Sequence, residues 1–171
     1  GIGFAAIGAF MPLMFLHRHW PHAATGLTFF GIAFVLVRIL CSHLPDRLGG
    51  ARVACASMVV ETIGQLLLWQ ATGPGIALAG AFLTGCGCSM IFPAMGVEVV
   101  RRVTPQMRGT AMGGFAAFQD LAYGATGPLT GLLAEWAGDG SVFMVGCAAG
   151  LGGLFLASRL AWRERAAALT N

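Results

Sequence analysis

The chain has 171 residues, of which 57% are hydrophobic and only 10% are charged, and its formal net charge is +3. A soluble domain carries about 25% charged residues, and a small soluble fold could not cover so much apolar surface. A disordered chain needs the opposite balance, with low hydrophobicity and high charge. The composition therefore excludes an ordinary cytosolic enzyme and a disordered segment, and it indicates a membrane protein with several spans.

Six apolar runs follow one another along the chain, at about 1–16, 23–44, 53–71, 75–100, 110–133 and 141–162. Each is close to the roughly 20 residues that a membrane-spanning helix needs. The runs are apolar on all sides and about twice as long as a barrel strand, so they predict helices. The predicted fold is all-α, with six transmembrane helices in a lipid bilayer and a tail at 163–171. Residue 1 already lies in an apolar run, so we expect a segment that begins within a membrane helix.

The arginines predict the orientation of these helices. One side of the predicted bundle carries eight of the ten arginines, whereas the other side carries Arg18 and one span contains Arg38. Cytoplasmic loops are enriched in basic residues, so both termini are predicted to be cytoplasmic. Four tryptophans fall at the ends of runs, as in the aromatic belts of membrane interfaces: Trp20, Trp69, Trp136 and Trp162.

Arg38 and Glu61 are charged residues within predicted spans, where a charge costs about 2.5–3.5 kcal/mol on insertion scales. Both lie about 12–14 Å from the loop that joins their helices, so an Arg38–Glu61 ion pair is geometrically reasonable. Such a pair is either static or responsive to substrate and proton, and the alternative is an Arg38 that extends alone to the inner surface. Gln65 lies one turn from Glu61 and extends this polar spot.

Asp120 lies about 15 Å into the fifth run, near the membrane midplane. No basic residue obviously shares its depth, and an unpaired carboxylate in hydrocarbon tends to hold its proton, as a proton-coupling group must. Gln119, Tyr123 and Thr126 are close in sequence and complete a candidate polar lining. The alternative is a protonated side chain that bonds to a backbone carbonyl.

Charged residues also cluster near the predicted cytoplasmic surface. Glu98 precedes Arg101 and Arg102 by three and four residues, so the three side chains are neighbours on a helix. With Asp46 and Arg47 they form either an ordinary interfacial cluster or a latch that breaks when the protein changes conformation.

Small residues recur in the later runs and let helices approach closely in lipid. The glycines concerned are Gly80, Gly85, Gly87, Gly109, Gly113, Gly114, Gly124, Gly127, Gly131, Gly146 and Gly150. Tight packing is one interpretation. For Gly127 and Pro128 the other interpretation is a bending point in a moving helix.

Covalent chemistry has no coherent candidate in this sequence. The five cysteines lie in apolar runs and are interpreted as small buried residues. His17, His19 and His22 lie close together in a loop, which is weak evidence for a metal site. Neither a nucleophilic triad nor a phosphate-binding glycine loop is present. We therefore expect no enzyme activity, metal, cofactor or nucleic-acid partner.

Three segments resemble motifs of the major facilitator superfamily. The loop after the second run reads Ser42-His-Leu-Pro-Asp46-Arg47-Leu-Gly49-Gly50-Ala-Arg52. It resembles the family pattern Gly-x-x-x-Asp-Arg-x-Gly-Arg-Arg/Lys, with a serine for the first glycine and a glycine for the first of the paired basic residues. The segment 98–102, followed by Arg108 and Gly109, resembles the cytoplasmic connection into the eleventh helix of the family. Gly127-Pro128-x-x-Gly131 is similar to the core of the antiporter motif.

The resemblance covers the whole chain and is nearest to the bacterial arabinose-efflux or drug-efflux branch. It implies the second six-helix half of a twelve-helix transporter, built from two inverted three-helix repeats, with the first half as its partner. It further implies a bacterial inner membrane, alternating access driven by a proton gradient, and efflux of a small solute such as a sugar, drug or organic ion. The alternative function is a non-transporting membrane scaffold or a partner subunit of a larger transporter.

The residue types and the resemblance together give three sets of candidate site residues. The predicted coupling and substrate pathway contains Asp120, Glu61, Arg38, Gln65, Gln119 and Tyr123. The predicted cytoplasmic gating loops contain Asp46, Arg47, Gly49, Arg52, Glu98, Arg101, Arg102, Arg108 and Gly109. The predicted bending and packing positions are Gly124, Gly127, Pro128 and Gly131.

Overall fold

The structure is a computed structural model that describes residues 1–169, with side chains described for residues 1–162. The helices in chain order are α1 (Ile2–His17), α2 (Thr25–Cys41), α3 (Leu44–Leu48), α4 (Gly50–Trp69), α5 (Pro74–Arg101), α6 (Arg108–Ala137) and α7 (Gly140–Leu169). A 3₁₀ turn, Pro105–Met107, precedes α6. The predicted fold class is confirmed, because the described residues form an all-helical bundle with six long helices and no strand.

Three of the described helices are long and apolar enough to cross a membrane. They are α4, α5 and the part of α7 that ends at Trp162, with mean hydropathies of 1.4, 1.7 and 1.8. The helices α1 and α2 are apolar but shorter, with 16 and 17 residues. Such helices satisfy their own backbone hydrogen bonds, which is the condition for entering lipid.

The structure differs from the predicted runs at two loops and at the C-terminal tail. The segment between the second and third runs contains the short helix α3, and Arg52 belongs to α4. The predicted outer loop at 135–140 is shorter, because α6 continues to Ala137. α7 continues to Leu169, whereas the sequence predicts a tail from residue 163. Residues 163–169 are arginine, glutamate, alanine and leucine, all strong helix formers, which explains the longer helix. Residues 170–171 of the predicted tail lie outside the described residues.

Helix α5 packs against both α2 and α4, which do not form a comparable contact with each other. Glycines bring the backbones of α4 and α5 together. A Cβ atom on Gly87 would lie 2.5 Å from the backbone nitrogen of Glu61, and one on Gly80 would lie 2.9 Å from the carbonyl oxygen of Gly64. Lipid tails provide no hydrophobic force between helices, so such close packing is what holds them together. The tight-packing interpretation of these glycines is confirmed.

The first helix is anchored at its C-terminal end. His17 Nδ1 lies 2.6 Å from a carboxylate oxygen of Asp139, in the turn between α6 and α7. Arg18 donates a hydrogen bond to the carbonyl of Ala71, and its guanidinium lies 5.1 Å from the centre of the Trp20 ring. These contacts fix the end of α1 against two separate turns of the bundle.

Candidate functional site

A cavity of about 610 Å³ lies among the long helices, and Glu61 is its buried carboxylate. The exposed fraction of Glu61 is only 6%. Most of the other lining side chains are apolar, and six are aromatic: Phe4, Phe34, Phe92, Phe115, Phe118 and Tyr123. A largely apolar cavity of this size with a few polar groups is typical of sites for small molecules.

The position of Glu61 follows from the small residues that face it. Gly87 lets α5 approach its backbone, and a Cβ atom on Gly3 would collide with its carboxylate. The Cys88 thiol lies against the same carboxylate. Among the residues whose side chains are described, no arginine or histidine lines the cavity. Glu61 therefore faces an apolar space without a basic side chain beside it.

Gln65 supports this region without reaching the cavity. Its side-chain nitrogen donates a hydrogen bond of 3.2 Å to the carbonyl of Gly3. Gln65 Oε1 and Thr62 Oγ1 are buried and lack a conventional hydrogen-bond partner. These two oxygens face Gly146 and Gly150 of α7, whose lack of a side chain makes room for them. Close approach of Cα–H groups to such oxygens is common where helices pack.

The residues near the middle of α6 separate into two faces. Gln119 and Tyr123 line the cavity, and the Gln119 side chain donates a hydrogen bond to the Tyr123 hydroxyl. Asp120 lies on the exposed face of α6 and does not line the cavity. Thr126 donates a hydrogen bond of 2.6 Å to the carbonyl of Ala122 within its own helix. The structure thus brings Glu61, Gln119 and Tyr123 together and leaves Asp120 apart from them.

The predicted Arg38–Glu61 ion pair is wrong, since no ion pair joins these two described residues. Arg38 Nη1 instead donates a hydrogen bond of 2.8 Å to the carbonyl oxygen of Ser89 on α5. Pro93 explains why this carbonyl oxygen has no hydrogen-bond donor within α5. A proline has no N–H group, so the carbonyl four residues earlier, that of Ser89, loses its partner within the helix. The arginine on α2 supplies the missing donor.

This explanation predicts that the effects of changing Arg38 and Pro93 depend on each other. We expect Arg38→Met to lower the free energy of unfolding by about 1.5–3 kcal/mol, the scale of a hydrogen bond to a charged group. In a Pro93→Ala background the restored N–H can bond Ser89, so the same change should cost about 1 kcal/mol less. A double-mutant cycle from thermal unfolding in detergent measures the coupling, and strictly additive effects would contradict it.

The predicted cytoplasmic cluster centres on Glu98, whose exposed fraction is 2%. One carboxylate oxygen lies 2.7 Å from the Arg102 guanidinium, as the four-residue spacing predicts. The other oxygen accepts a hydrogen bond of 3.0 Å from the backbone N–H of Ala51. Ala51 is the second residue of α4, so the carboxylate also satisfies a free amide at a helix N-terminus. The sequence pattern did not indicate this second contact.

The loop at 42–52, which resembles the family motif and is called the motif loop below, contains two glycines that explain how Glu98 reaches α4. Gly49 has a backbone φ of +91°, a conformation that residues other than glycine rarely adopt. A Cβ atom on Gly50 would collide with the carbonyl oxygen of Ala94 and the carboxylate of Glu98. Glycine at position 50 thus lets the start of α4 touch α5. The other predicted gating residues of these loops are exposed: Asp46, Arg47, Arg52, Arg101, Arg108 and Gly109.

The glycines of α6 differ from those of α5. A Cβ atom on Gly109, Gly113, Gly124, Gly127 or Gly131 would have no neighbouring atom within 4 Å among the described residues. Tight packing within this chain therefore does not account for them. The helix continues through Pro128 to Ala137, and a bend at that proline stays a prediction.

Sequence reasoning missed most of the cavity lining. Cys88, Met58 and Met95 line the cavity beside the aromatic rings. In the sequence these residues are part of uniformly apolar runs, where a lining side chain and a lipid-facing side chain look alike. Only the spacing of the polar residues Glu61, Gln119 and Tyr123 gave a signal for the site.

The apolar helices, the glycine-mediated packing and the partly open cavity with a buried carboxylate define a helical membrane protein. The model of the Major Facilitator Superfamily matches residues 1–171, and the chain belongs to this family. The family is one of membrane transporters, which agrees with the resemblance of the loop motifs.

Several curated bacterial proteins are similar to this chain. An uncharacterized MFS-type transporter of Salmonella typhimurium is 54% identical over 151 residues, which cover 88% of this chain and 39% of that protein. One from Pseudomonas aeruginosa is 46% identical over 164 residues, with coverages of 96% and 41%. One from Burkholderia mallei is 43% identical over 162 residues, with coverages of 95% and 40%. The chain thus spans about two fifths of the length of these relatives. No solved structure matches it significantly.

Proposed function

We propose that this chain is the second six-helix half of a proton-coupled exporter of a small solute, which works by alternating access together with a first half. The observation that carries the proposal is Glu61, a carboxylate that is 6% exposed and lines a partly open cavity, with no basic side chain in the described lining. Burying a charge is costly unless it is paired or neutralised, so this carboxylate is suited to take up and release a proton.

The cytoplasmic contacts support the conformational part of the proposal. Glu98 links the end of α5 to the start of α4 beside the motif loop. Such a contact is suited to a latch that holds one conformation and opens in the other. We place the protein in the bacterial inner membrane with both termini in the cytoplasm, on the basis of the arginine distribution. Asp120, exposed on α6, is proposed as a second coupling carboxylate that faces the first half.

Transport in everted membrane vesicles that contain the full-length protein tests this function. With a respiratory proton gradient, at least one solute from a labelled panel of sugars, organic cations and organic anions should accumulate above the vector control, and a protonophore should abolish this accumulation. Glu61→Gln should lower the initial rate about tenfold or more, equivalent to at least about 1.4 kcal/mol.

Glu135→Gln is the matched control, because Glu135 is an exposed carboxylate on α6 outside the cavity. Its transport rate should equal that of the wild type. Protonophore-insensitive transport, or an unchanged rate in Glu61→Gln, would contradict the proposed coupling. The absence of any transported solute would favour the alternative of a membrane scaffold.

A further inference from the structure

We infer that the cavity beside Glu61 binds a hydrophobic organic cation, with the Glu61 carboxylate as its counter-charge. This inference rests on the proposed transport function and names the chemical class of the solute. The charge, the aromatic surface and the hydrogen-bonding capacity of the lining each select against a different class of ligand.

The described lining offers an anion no basic side chain. Glu61 is the acidic residue of the cavity, and no arginine or histidine side chain lines it among the residues whose side chains are described. Two arginines lie within spans but outside this lining: Arg38 is bonded to the carbonyl of Ser89, and the Arg159 guanidinium lies over the Phe155 ring. An organic acid would therefore meet a carboxylate in an apolar space, whereas a cation would neutralise it.

The aromatic rings favour a cation over a neutral apolar molecule. Phe4 and Tyr123 have ring centres 5.3 Å apart, and Phe92 stacks on Phe115 with ring centres 5.1 Å apart. Ring faces carry a partial negative charge that attracts organic cations, the more so away from water. The sulfur atoms of Met58 and Met95 add soft, polarisable surface to the same lining.

The described lining offers a sugar few hydrogen-bonding groups. A sugar needs many donors and acceptors, because each hydroxyl that enters an apolar site without a partner is penalised. Apart from Glu61 and the Cys88 thiol, the polar side chains of the described lining are Gln119 and Tyr123, and these two are bonded to each other. A cavity of about 610 Å³ accommodates a drug-sized ligand.

Equilibrium binding to the full-length protein in lipid nanodiscs tests this inference without a gradient. Tetraphenylphosphonium and tetraphenylborate are ions of nearly the same size and shape with opposite charges. The wild type should bind the phosphonium saturably and should show no saturable binding of the borate. Glu61→Gln should weaken phosphonium binding about tenfold or more. Glu135→Gln, on the exposed face, should leave it unchanged.

A second pair of variants tests the aromatic lining separately from the carboxylate. Phe115→Leu removes a ring from the cavity, whereas Phe82→Leu removes a ring from α5 that is 38% exposed and outside the cavity. The first should weaken phosphonium binding roughly threefold and the second should not. An unfolding transition followed by tryptophan fluorescence shows that each variant is folded before binding is measured.

The outcomes separate this inference from the proposed function. Absent phosphonium binding, equal binding of both ions, or unchanged affinity in Glu61→Gln would overturn the inference. If a sugar or an anion is then exported in a protonophore-sensitive way, the proposed function survives alone. Saturable phosphonium binding that depends on Glu61 without any coupled transport would support the inference and contradict the coupling.

Discussion

Replacing Gly87 by alanine is expected to lower the free energy of unfolding by about 1–3 kcal/mol, the cost of forcing a methyl group into a packed interior. The added Cβ atom would lie 2.5 Å from the backbone nitrogen of Glu61 and 2.6 Å from the carbonyl oxygen of Ser57. Both atoms belong to the backbone of α4, so neither can rotate away. The helices α4 and α5 would have to separate, and the wall of the cavity would move with them.

The sign of this effect is informative, because alanine normally stabilises a helix by up to about 1 kcal/mol relative to glycine. Gly75→Ala is the matched control, since Gly75 lies on the same helix and has no atom within 4 Å of an added Cβ. Thermal unfolding of the detergent-solubilised full-length protein compares the two variants. Equal stability of Gly87→Ala and Gly75→Ala would show that the backbones are not in contact at this position.

The second large effect is expected at Glu98, where Glu98→Ala should cost about 2–3 kcal/mol of stability. The change removes the acceptor for the backbone N–H of Ala51 and the carboxylate that pairs with Arg102. Both contacts lie in a region where Glu98 is 2% exposed, so water replaces them poorly. Glu98→Gln keeps an oxygen that can accept the hydrogen bond from Ala51 but loses the charge. Its free energy of unfolding should therefore lie between those of the wild type and Glu98→Ala.

Denaturant or thermal unfolding in detergent measures the Glu98 series. Glu135→Ala is the control, because Glu135 is exposed on α6. Its stability should lie within about 0.5 kcal/mol of the wild type, as is usual for surface changes. If Glu98→Ala were no less stable than Glu135→Ala, the contact between α4 and α5 at this end would not be stabilising.

The sequence predicted the helices well because lipid imposes a simple rule on them. A span needs about 20 apolar residues, and runs of that kind are visible without any knowledge of packing. The four-residue spacing of Glu98 and Arg102 likewise predicted their contact, because it depends on one helix only.

The contacts between helices were harder to predict. The depth of a residue in the membrane can be estimated by counting residues from the nearest loop. By this count Arg38 and Glu61 lie at the same depth. Depth does not reveal which helix is the neighbour, and α5 packs against both α2 and α4. Pro93 could have indicated the partner of Arg38, because an interior proline leaves the carbonyl of Ser89 without its helical donor.

The cavity was the least predictable feature. Its aromatic lining comes from α1, α2, α5 and α6, and each ring lies in a run where almost every residue is apolar. The side that a phenylalanine faces depends on how the helices are rotated about their axes. That rotation is set by close contacts such as those of Gly3 and Gly87, which are visible only in three dimensions.

The bond from Arg38 to the Ser89 carbonyl also sets which helices are joined independently of the cavity. Neither residue lines the cavity, and neither takes part in the contact between Glu98 and the start of α4. A change at Glu61 or at Glu98 would therefore leave the join between α2 and α5 at the proline intact, so these two helices provide a constant frame beside a variable interior.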